Sequence, residues 1–349
     1  MDCGVFAVGK RSVGDGQPVF IVVDVAQAHD GSLGTAHAFI DIVARAGADA
    51  VKFQTHIAAA ESTPDEPFRV KFSRQDATRY DYWKRMEFTA EQWRGLAEHA
   101  AEKGLEFLSS PFSVEAVDLL EKLGVPAWKI GSGETTNDHL LARLLPSGKP
   151  VLVSSGMSTL AEIDSILKRI ESMQIPCLLY QCTSLYPCPP EQVGLESLQE
   201  LRRRYGVPVG LSDHSGSPWF GVAAAALGAA SVEVHIAMSR ESFGPDVAAS
   251  LTPEDLTRMV RGIREVEASL KTHVDKDEFA NTHSELRSVF GRGIVTKVSV
   301  KKGTVLTEEA LSTKKPTKGL PPSAMQDLIG RVVLRDLPED YFILFEDLQ

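Results

Sequence analysis

The stretch Val19-Phe20-Ile21-Val22-Val23-Asp24-Val25, followed by Ala36-His37-Ala38-Phe39-Ile40-Asp41-Ile42-Val43-Ala44-Arg45 and then by Ala50-Val51-Lys52-Phe53-Gln54-Thr55, decides the fold. Its first and last segments are short and rich in β-branched residues, as strands buried on both faces are. Between them apolar residues recur at helical spacing, and Gly47 offers the left-handed residue that ends a helix. Strand, helix, strand in this order predicts a parallel, right-handed crossover. The alternation continues outward through Glu106 to Ser110, Ala127 to Ser132, Val151 to Ser155, Cys177 to Thr183, Val207 to Ser212 and Ser231 to Ile236, with Gly104, Gly124 and Gly206 as further helix stops. Eight units in about 250 residues predict an α/β fold of the (β/α)8 TIM-barrel type. A doubly wound open sheet is the alternative, but it usually has fewer strands, and no Gly-x-Gly-x-x-Gly opens the first helix.

Composition narrows the function classes. The chain has 349 residues, 43% of them hydrophobic, which is enough for one large core or two separate ones. Its 37 Lys and Arg against 47 Asp and Glu give a net charge of −10, with no long basic block, which argues against nucleic acid as a partner. No apolar run approaches the roughly 18 residues of a membrane span. Met1-Asp2-Cys3-Gly4 lacks the order of a signal peptide, and Cys3, Cys177, Cys182 and Cys188 show no metal or disulfide spacing. The expectation is a soluble cytoplasmic protein with reduced thiols.

Three regions are expected: a catalytic barrel over 1–270, a polar linker over 271–285, and a small domain over 286–349 of short alternating runs such as 293–300. One connection is oversized. The segment from 56 to 90 carries Arg69, Arg79, Tyr82, Trp83 and Arg85, and is either a lid over the strands' C-terminal ends or a surface insertion.

Polar residues on the C-terminal halves of barrel strands mark an active site. Asp24, Lys52, Gln54, Ser110, Lys129, Ser132, Ser155, Ser184, Ser212, Asp213, His214, Glu233 and His235 hold such positions. Two inward lysines among hydroxyls would bind a compact, multiply charged anion such as a phosphate ester or carboxylate, the alternative being that each snorkels outward. His214 and His235, near the ends of neighbouring strands, could meet at one Mn, Fe, Zn or Co ion. Asp24, Asp213, Glu233 and Asp246 could place a carboxylate near lysines and metal, or serve as plain ion-pair partners. Cys182 is expected to be a buried structural thiol rather than a nucleophile.

The same residues carry a family resemblance. Phe20 through Gly31, Gly47 through Thr55, Phe107-Leu108-Ser109-Ser110-Pro111-Phe112, Trp128-Lys129-Ile130-Gly131-Ser132-Gly133-Glu134, Cys182-Thr183-Ser184-Leu185-Tyr186-Pro187 and Gly210-Leu211-Ser212-Asp213-His214-Ser215 resemble the sialic acid synthase family. Val300-Lys301-Lys302-Gly303 and Lys315-Pro316-Thr317-Lys318-Gly319-Leu320 resemble its C-terminal antifreeze-like (SAF) domain. The resemblance implies condensation of phosphoenolpyruvate with an open-chain N-acyl hexosamine, releasing phosphate and giving a nine-carbon α-keto acid. It implies a divalent metal, usually Mn with Mg or Co as alternatives, held by His214 and His235, which with Asp24 form the catalytic set. It puts Lys52, Ser110, Lys129, Ser132, Ser184 and Ser212 around phosphoenolpyruvate, and Gln54, Tyr186, Asp246 and Lys315 around the sugar. It also implies a domain-swapped homodimer in which the small domain reaches a partner's sugar site.

Several positions depart from the family pattern. Asp24-Val25-Ala26-Gln27-Ala28-His29 stands where Glu-Ile-Gly-x-Asn-His is usual, Val247 where His is usual after Asp246, and Lys315 where Arg is usual. An Asp reaches about 1.5 Å less far than Glu, and Lys lacks the planar fork of Arg. The expected outcome is a retained reaction type with an N-acetylmannosamine-like N-acyl hexosamine that need not be N-acetylmannosamine itself. Two alternatives stay open: condensation with a phosphorylated aldose, and a barrel that binds sugar or phosphoenolpyruvate without turnover.

Overall fold

A computed structural model describes residues 4–349, so Cys3 and most of the expected non-signal N-terminus lie outside the described residues. The chain divides into two compact units, one ending at Lys271 and one spanning Thr272–Gln349. In the first, eight parallel strands succeed one another: β1 (Phe20–Ala26), β2 (Ala50–Thr55), β3 (Glu106–Pro111), β4 (Trp128–Ile130), β5 (Val151–Ser154), β6 (Cys177–Cys182), β7 (Val209–Asp213) and β8 (Ser231–Ile236). They pair in the order β3-β2-β1-β8-β7-β6-β5-β4, so β8 returns to β1 and the sheet curls into a TIM barrel. The ladder runs round from β3 to β4 and is left open only between those two among the described residues. The open-sheet alternative is thereby excluded. The expected strands are all present, but β4 is three residues long rather than six, because Gly131 and Ser132 already turn toward the site.

Side-chain alternation divides the core in two. Ile21, Val23 and Val25 of β1 face the surrounding helices with Phe39, Ile40, Val43 and their neighbours. Phe20 and Val22 face the barrel axis with Ala50, Leu108, Leu152, Leu178 and Tyr180. Val8 and Val13 join this inner cluster from a short antiparallel hairpin, Phe6–Val8 with Arg11–Val13, which plugs the end where the strands begin. Sequence patterning gives no warning of that hairpin, since three-residue strands are too short to show a period. Polar groups therefore have one end of the cylinder left to occupy.

The helices start and stop where local chemistry dictates. Ser32 caps Leu33–Ala46 by accepting from the Thr35 N–H, and Gly47 ends it at φ 81°. Thr89 with Gln92 and Thr159 with Glu162 form reciprocal capping boxes on Ala90–Glu102 and Leu160–Ser172. Among the described residues no helix is long and apolar enough to cross a membrane.

The second unit has its own core, Ile294, Val300, Leu306, Leu311, Leu320, Leu328, Val333, Leu337, Ile343 and Leu348, around an antiparallel pair, Gly293–Thr296 with Leu311–Lys314. The polar stretch expected as a linker is largely helical. Lys276–Thr282 is capped by Asp275, and Ser284–Phe290 follows. Both helices lack buried residues, which is why apolar periodicity does not reveal them.

Gly210 of β7 is an inward position kept bare for a neighbour. A Cβ there would lie 2.6 Å from the Ser231 carbonyl oxygen and 2.8 Å from the Tyr180 ring. Gly210→Ala should lower unfolding free energy by about 1–3 kcal/mol, read as a drop in urea midpoint with an unchanged m-value.

Candidate functional site

Strand register assembles the deepest tier of the site. Asp24 lies opposite Lys52 on β2 and opposite His235 on β8. Lys52 Nζ donates to Asp24 Oδ2 at 2.6 Å and lies 3.9 Å from Glu233 Oε1. Lys129 Nζ is 3.5 Å from the same Glu233 oxygen and donates to Ser154 Oγ at 2.6 Å. Ser212 Oγ donates to Glu233 Oε1, and the Lys129 ammonium sits 5.3 Å from the Tyr180 ring centroid. Each of the four charged residues is at most 4% exposed. Both lysines thus point inward, and the outward-snorkelling alternative fails. They do not stand free: two ammonium groups meet two carboxylates, the arrangement that makes four buried charges tolerable.

The electrostatics follow from that pairing. Burial would raise the Asp24 pKa, but the Lys52 ammonium and His235 outweigh it and hold the carboxyl at about 2. Burial would lower the pKa of Lys52, yet Asp24 and Glu233 keep it raised. For Lys129 burial prevails over the pull of Glu233, and its proton is held less firmly than usual. Asp24 Oδ1 also accepts from the Ala26 N–H. Ala26 has φ 45°, a left-handed conformation that favours glycine, at a register shift between β1 and β2. The two departures are thereby coupled: the short Asp side chain braces the turn where the usual Gly is missing. A glutamate could not fold back to its own i+2 amide so readily.

Above this tier stand the imidazoles, with ring centroids 5.2 Å apart. His214 Nδ1 lies 2.9 Å from the Thr183 carbonyl oxygen, which can only accept, so Nδ1 carries the proton. Burial and the nearby His235 push its pKa down to about 3, keeping the ring neutral. Nε2 then presents a lone pair, at present taking the Tyr186 hydroxyl at 3.2 Å. His235 Nδ1 is buried without a hydrogen-bond partner, 3.6 Å from Asp24 Oδ2. Two imidazole nitrogen donors, one already fixed in its tautomer by a backbone oxygen, suit a borderline divalent cation. Among the described residues no three His, Cys, Asp or Glu side chains form a fuller ligand set, so water or substrate oxygens would have to complete the shell.

The mouth is walled by the oversized connection. Ala58, Tyr82, Trp83 and Met86 bury a small apolar cluster with Phe68, Phe72 and Tyr80 leaning on it. Arg69 pairs with Asp246 at 2.5 Å, and its guanidinium lies 4.3 Å from the Tyr186 ring centroid, while that ring stacks on His214 at 4.2 Å. His56 is sandwiched between Trp83 and Phe112, at 4.0 and 4.5 Å. The segment is a wall of the site, not a remote surface insertion.

Asp24, Lys52, Gln54, Ser110, Lys129, Ser132, Ser184, Tyr186, Ser212, His214, Glu233, His235 and Asp246 line one cavity of about 420 Å³, within the size range of small-molecule sites. Lys315 is not among them. It is exposed on the other unit, with its ammonium 5.1 Å from the Phe290 ring centroid. Asp213 is taken up by the Ser215 N–H and hydroxyl and does not line the cavity. Cys182 lines it, but burial pushes its thiol up to about 11 and the His214 Nδ1 near it is committed to Thr183, so it is no nucleophile. Gln27, His56, Glu61 and Glu134 also line the cavity and were not singled out from sequence. Glu134 had a signal in its place after the β4 turn; the others depend on which neighbour each side chain meets.

Comparisons with known proteins give the family of the chain. Residues 39–275 match the NeuB family and residues 291–349 the SAF domain. The chain is similar to the N,N'-diacetyllegionaminic acid synthase of Campylobacter jejuni, with 30% identity covering 93% of this chain and 98% of that protein. It is similar to the human N-acetylneuraminate-9-phosphate synthase, with 33% identity covering 96% and 94%. Among solved structures, a Bacillus subtilis spore coat polysaccharide biosynthesis protein aligns with a TM-score of 0.67 and 29% identity over 99% of both chains.

The Asp24–Lys52 pair sets an acid limb. The folded-state pKa of Asp24 lies below its unfolded value, so its stabilisation is complete above about pH 4 and is lost as pH falls toward 2. In urea unfolding, Asp24→Asn should be less stable than the parent at neutral pH, and the gap should narrow by about 2 kcal/mol between pH 4 and pH 2.

Proposed function

Because the chain belongs to the NeuB family and carries a SAF domain at its C-terminal end, we propose that it condenses phosphoenolpyruvate with an unphosphorylated N-acyl aldose. The product is a nine-carbon α-keto acid of the sialic acid type, and phosphate leaves. The observation that carries this is the convergence, at one end of a barrel, of two buried lysines among serine hydroxyls with two imidazoles just above them.

Phosphoenolpyruvate takes the deep tier. Lys52 and Lys129 face its negative charge, and Ser110, Ser132, Ser184 and Ser212 orient its oxygens. The enol phosphate's C3 forms the new bond to the aldehyde carbon, whose oxygen takes up a proton. Water adds at C2, and loss of phosphate leaves the ketone. A divalent ion held by His214 and His235, of which Mn is the first choice, would supply Lewis acidity at the aldehyde oxygen. Gln54, Tyr186 and Asp246 meet the acceptor nearer the mouth. A homodimer in which one copy's Lys315 serves the other's acceptor belongs to the same proposal.

Charge pairing supports an acceptor without phosphate. Lys52, Lys129, Arg69 and Arg79 line the cavity, and each already faces a carboxylate: Asp24, Glu233, Asp246 and Glu66. Glu61 and Glu134 line it too and form no ion pair with Lys or Arg among the described residues. A second phosphate would have to displace carboxylates and then face two more.

Phosphate release from phosphoenolpyruvate, Mn and a panel of amino and neutral aldoses, each free and phosphorylated, tests the proposal. Release should require an acceptor and favour the free sugars; no release with any of them rejects synthase activity. Lys129→Ala should raise the KM for phosphoenolpyruvate at least about tenfold, as loss of a charge-assisted contact does.

A further inference from the structure

Gln27 occupies the position that the family pattern leaves unspecified, yet it is 5% exposed and sits at the centre of a hydrogen-bonded chain along the cavity wall. Its Nε2 lies 2.6 Å from Gln54 Oε1 and 2.8 Å from His56 Nε2. Gln54 Nε2 in turn donates to Asp24 Oδ2 at 3.1 Å, and His56 Nδ1 lies 2.5 Å from Glu61 Oε1. The chain ends on two carboxylates, which can only accept.

Those ends fix every orientation between them. Gln54 must turn its N–H to Asp24, so its carbonyl oxygen faces Gln27, and Gln27 must answer with N–H. The second hydrogen of the same Gln27 amide meets His56 Nε2, which must therefore hold a lone pair. The His56 proton sits on Nδ1 and is donated to Glu61. Reversing Gln54 would set carbonyl against carboxylate and N–H against N–H, and reversing Gln27 would set carbonyl against carbonyl, in a buried site. The two N–H bonds of one carboxamide thus hold both a residue of the barrel strand, Gln54, and a residue of the mouth, His56.

We propose that Gln27 is a positioning residue, whose carboxamide nitrogen fixes Gln54 and His56 in the orientation that the acceptor meets. The inference rests on the proposed synthase reading for its kinetic consequence, but the hydrogen-bond polarity stands apart from it. Lys52 reaches Asp24 directly, so the phosphoenolpyruvate end does not depend on Gln27.

Two measurements on the full-length protein test this. In substrate-free enzyme, long-range proton–nitrogen NMR should find neutral His56 protonated at Nδ1, and Gln27→Glu, which puts an acceptor opposite Nε2, should bring a proton to Nε2. In steady-state kinetics, Gln27→Met, which keeps the side-chain length without its hydrogen bonds, should lower kcat/KM for the acceptor at least tenfold and leave the KM for phosphoenolpyruvate within twofold. A His56 protonated at Nε2 in the parent protein overturns the proposal. So do acceptor kinetics of Gln27→Met equal to the parent's, or equal losses for both substrates, which would mark a general structural role. If the parent protein releases no phosphate with any aldose, the synthase reading fails, and the NMR result alone decides the hydrogen-bond polarity.

Discussion

Two ammonium groups and two carboxylates share the closed interior of the cylinder, and the rest of the site is arranged around their mutual neutralisation. Removing any one would leave a buried charge without its partner, a loss of several kcal/mol in proteins generally. The pairing exists only because β1, β2, β4 and β8 bring Asp24, Lys52, Lys129 and Glu233 to similar heights on the inner face. Register is therefore under electrostatic as well as hydrophobic control: a slip of one residue would turn Lys52 toward the helices and Val51 into the site. Lys52 and Lys129 are held inward by these protein carboxylates.

Polarity is graded along the barrel axis. The hairpin with Val8 and Val13 closes the end where the strands begin, and Phe20, Val22, Leu108 and Tyr180 fill the middle. Charges occupy the next level, imidazoles the one above, and aromatic and amide groups the mouth. Each level uses the alternation of strand side chains, so a residue two positions further along a strand serves the next tier: Lys52 then Gln54, Glu233 then His235. The mouth differs in being built by the segment between β2 and the helix Ala90–Glu102, whose apolar cluster holds Arg69 and Trp83 in place.

Family membership and local departure have a common physical sense here. The lysines, serines and histidines of the family pattern converge, while Asp24 and Ala26 differ together and compensate one another, the carboxylate bracing a turn that glycine would have made without strain. Both departures therefore fall on β1, beside Lys52 in the deepest tier and not at the mouth.

The sequence by itself determined the barrel, the division into a large and a small unit, and most of the residues that gather at the site. Strand alternation and helix punctuation are local properties, and polar residues embedded in β-rich runs stand out against apolar neighbours. Only the tertiary structure decided that the lysines arrive already paired, that His214 carries its proton on Nδ1, and that Gln27 joins Gln54 to His56. It also decided that Phe6–Val8 and Arg11–Val13 plug the barrel, and that Lys276–Thr282 and Ser284–Phe290 are helical. Those features depend on which atoms meet across different strands, or on elements too short or too exposed to carry a period. Spacing along a chain records the direction of a side chain, but not the partner waiting where it points.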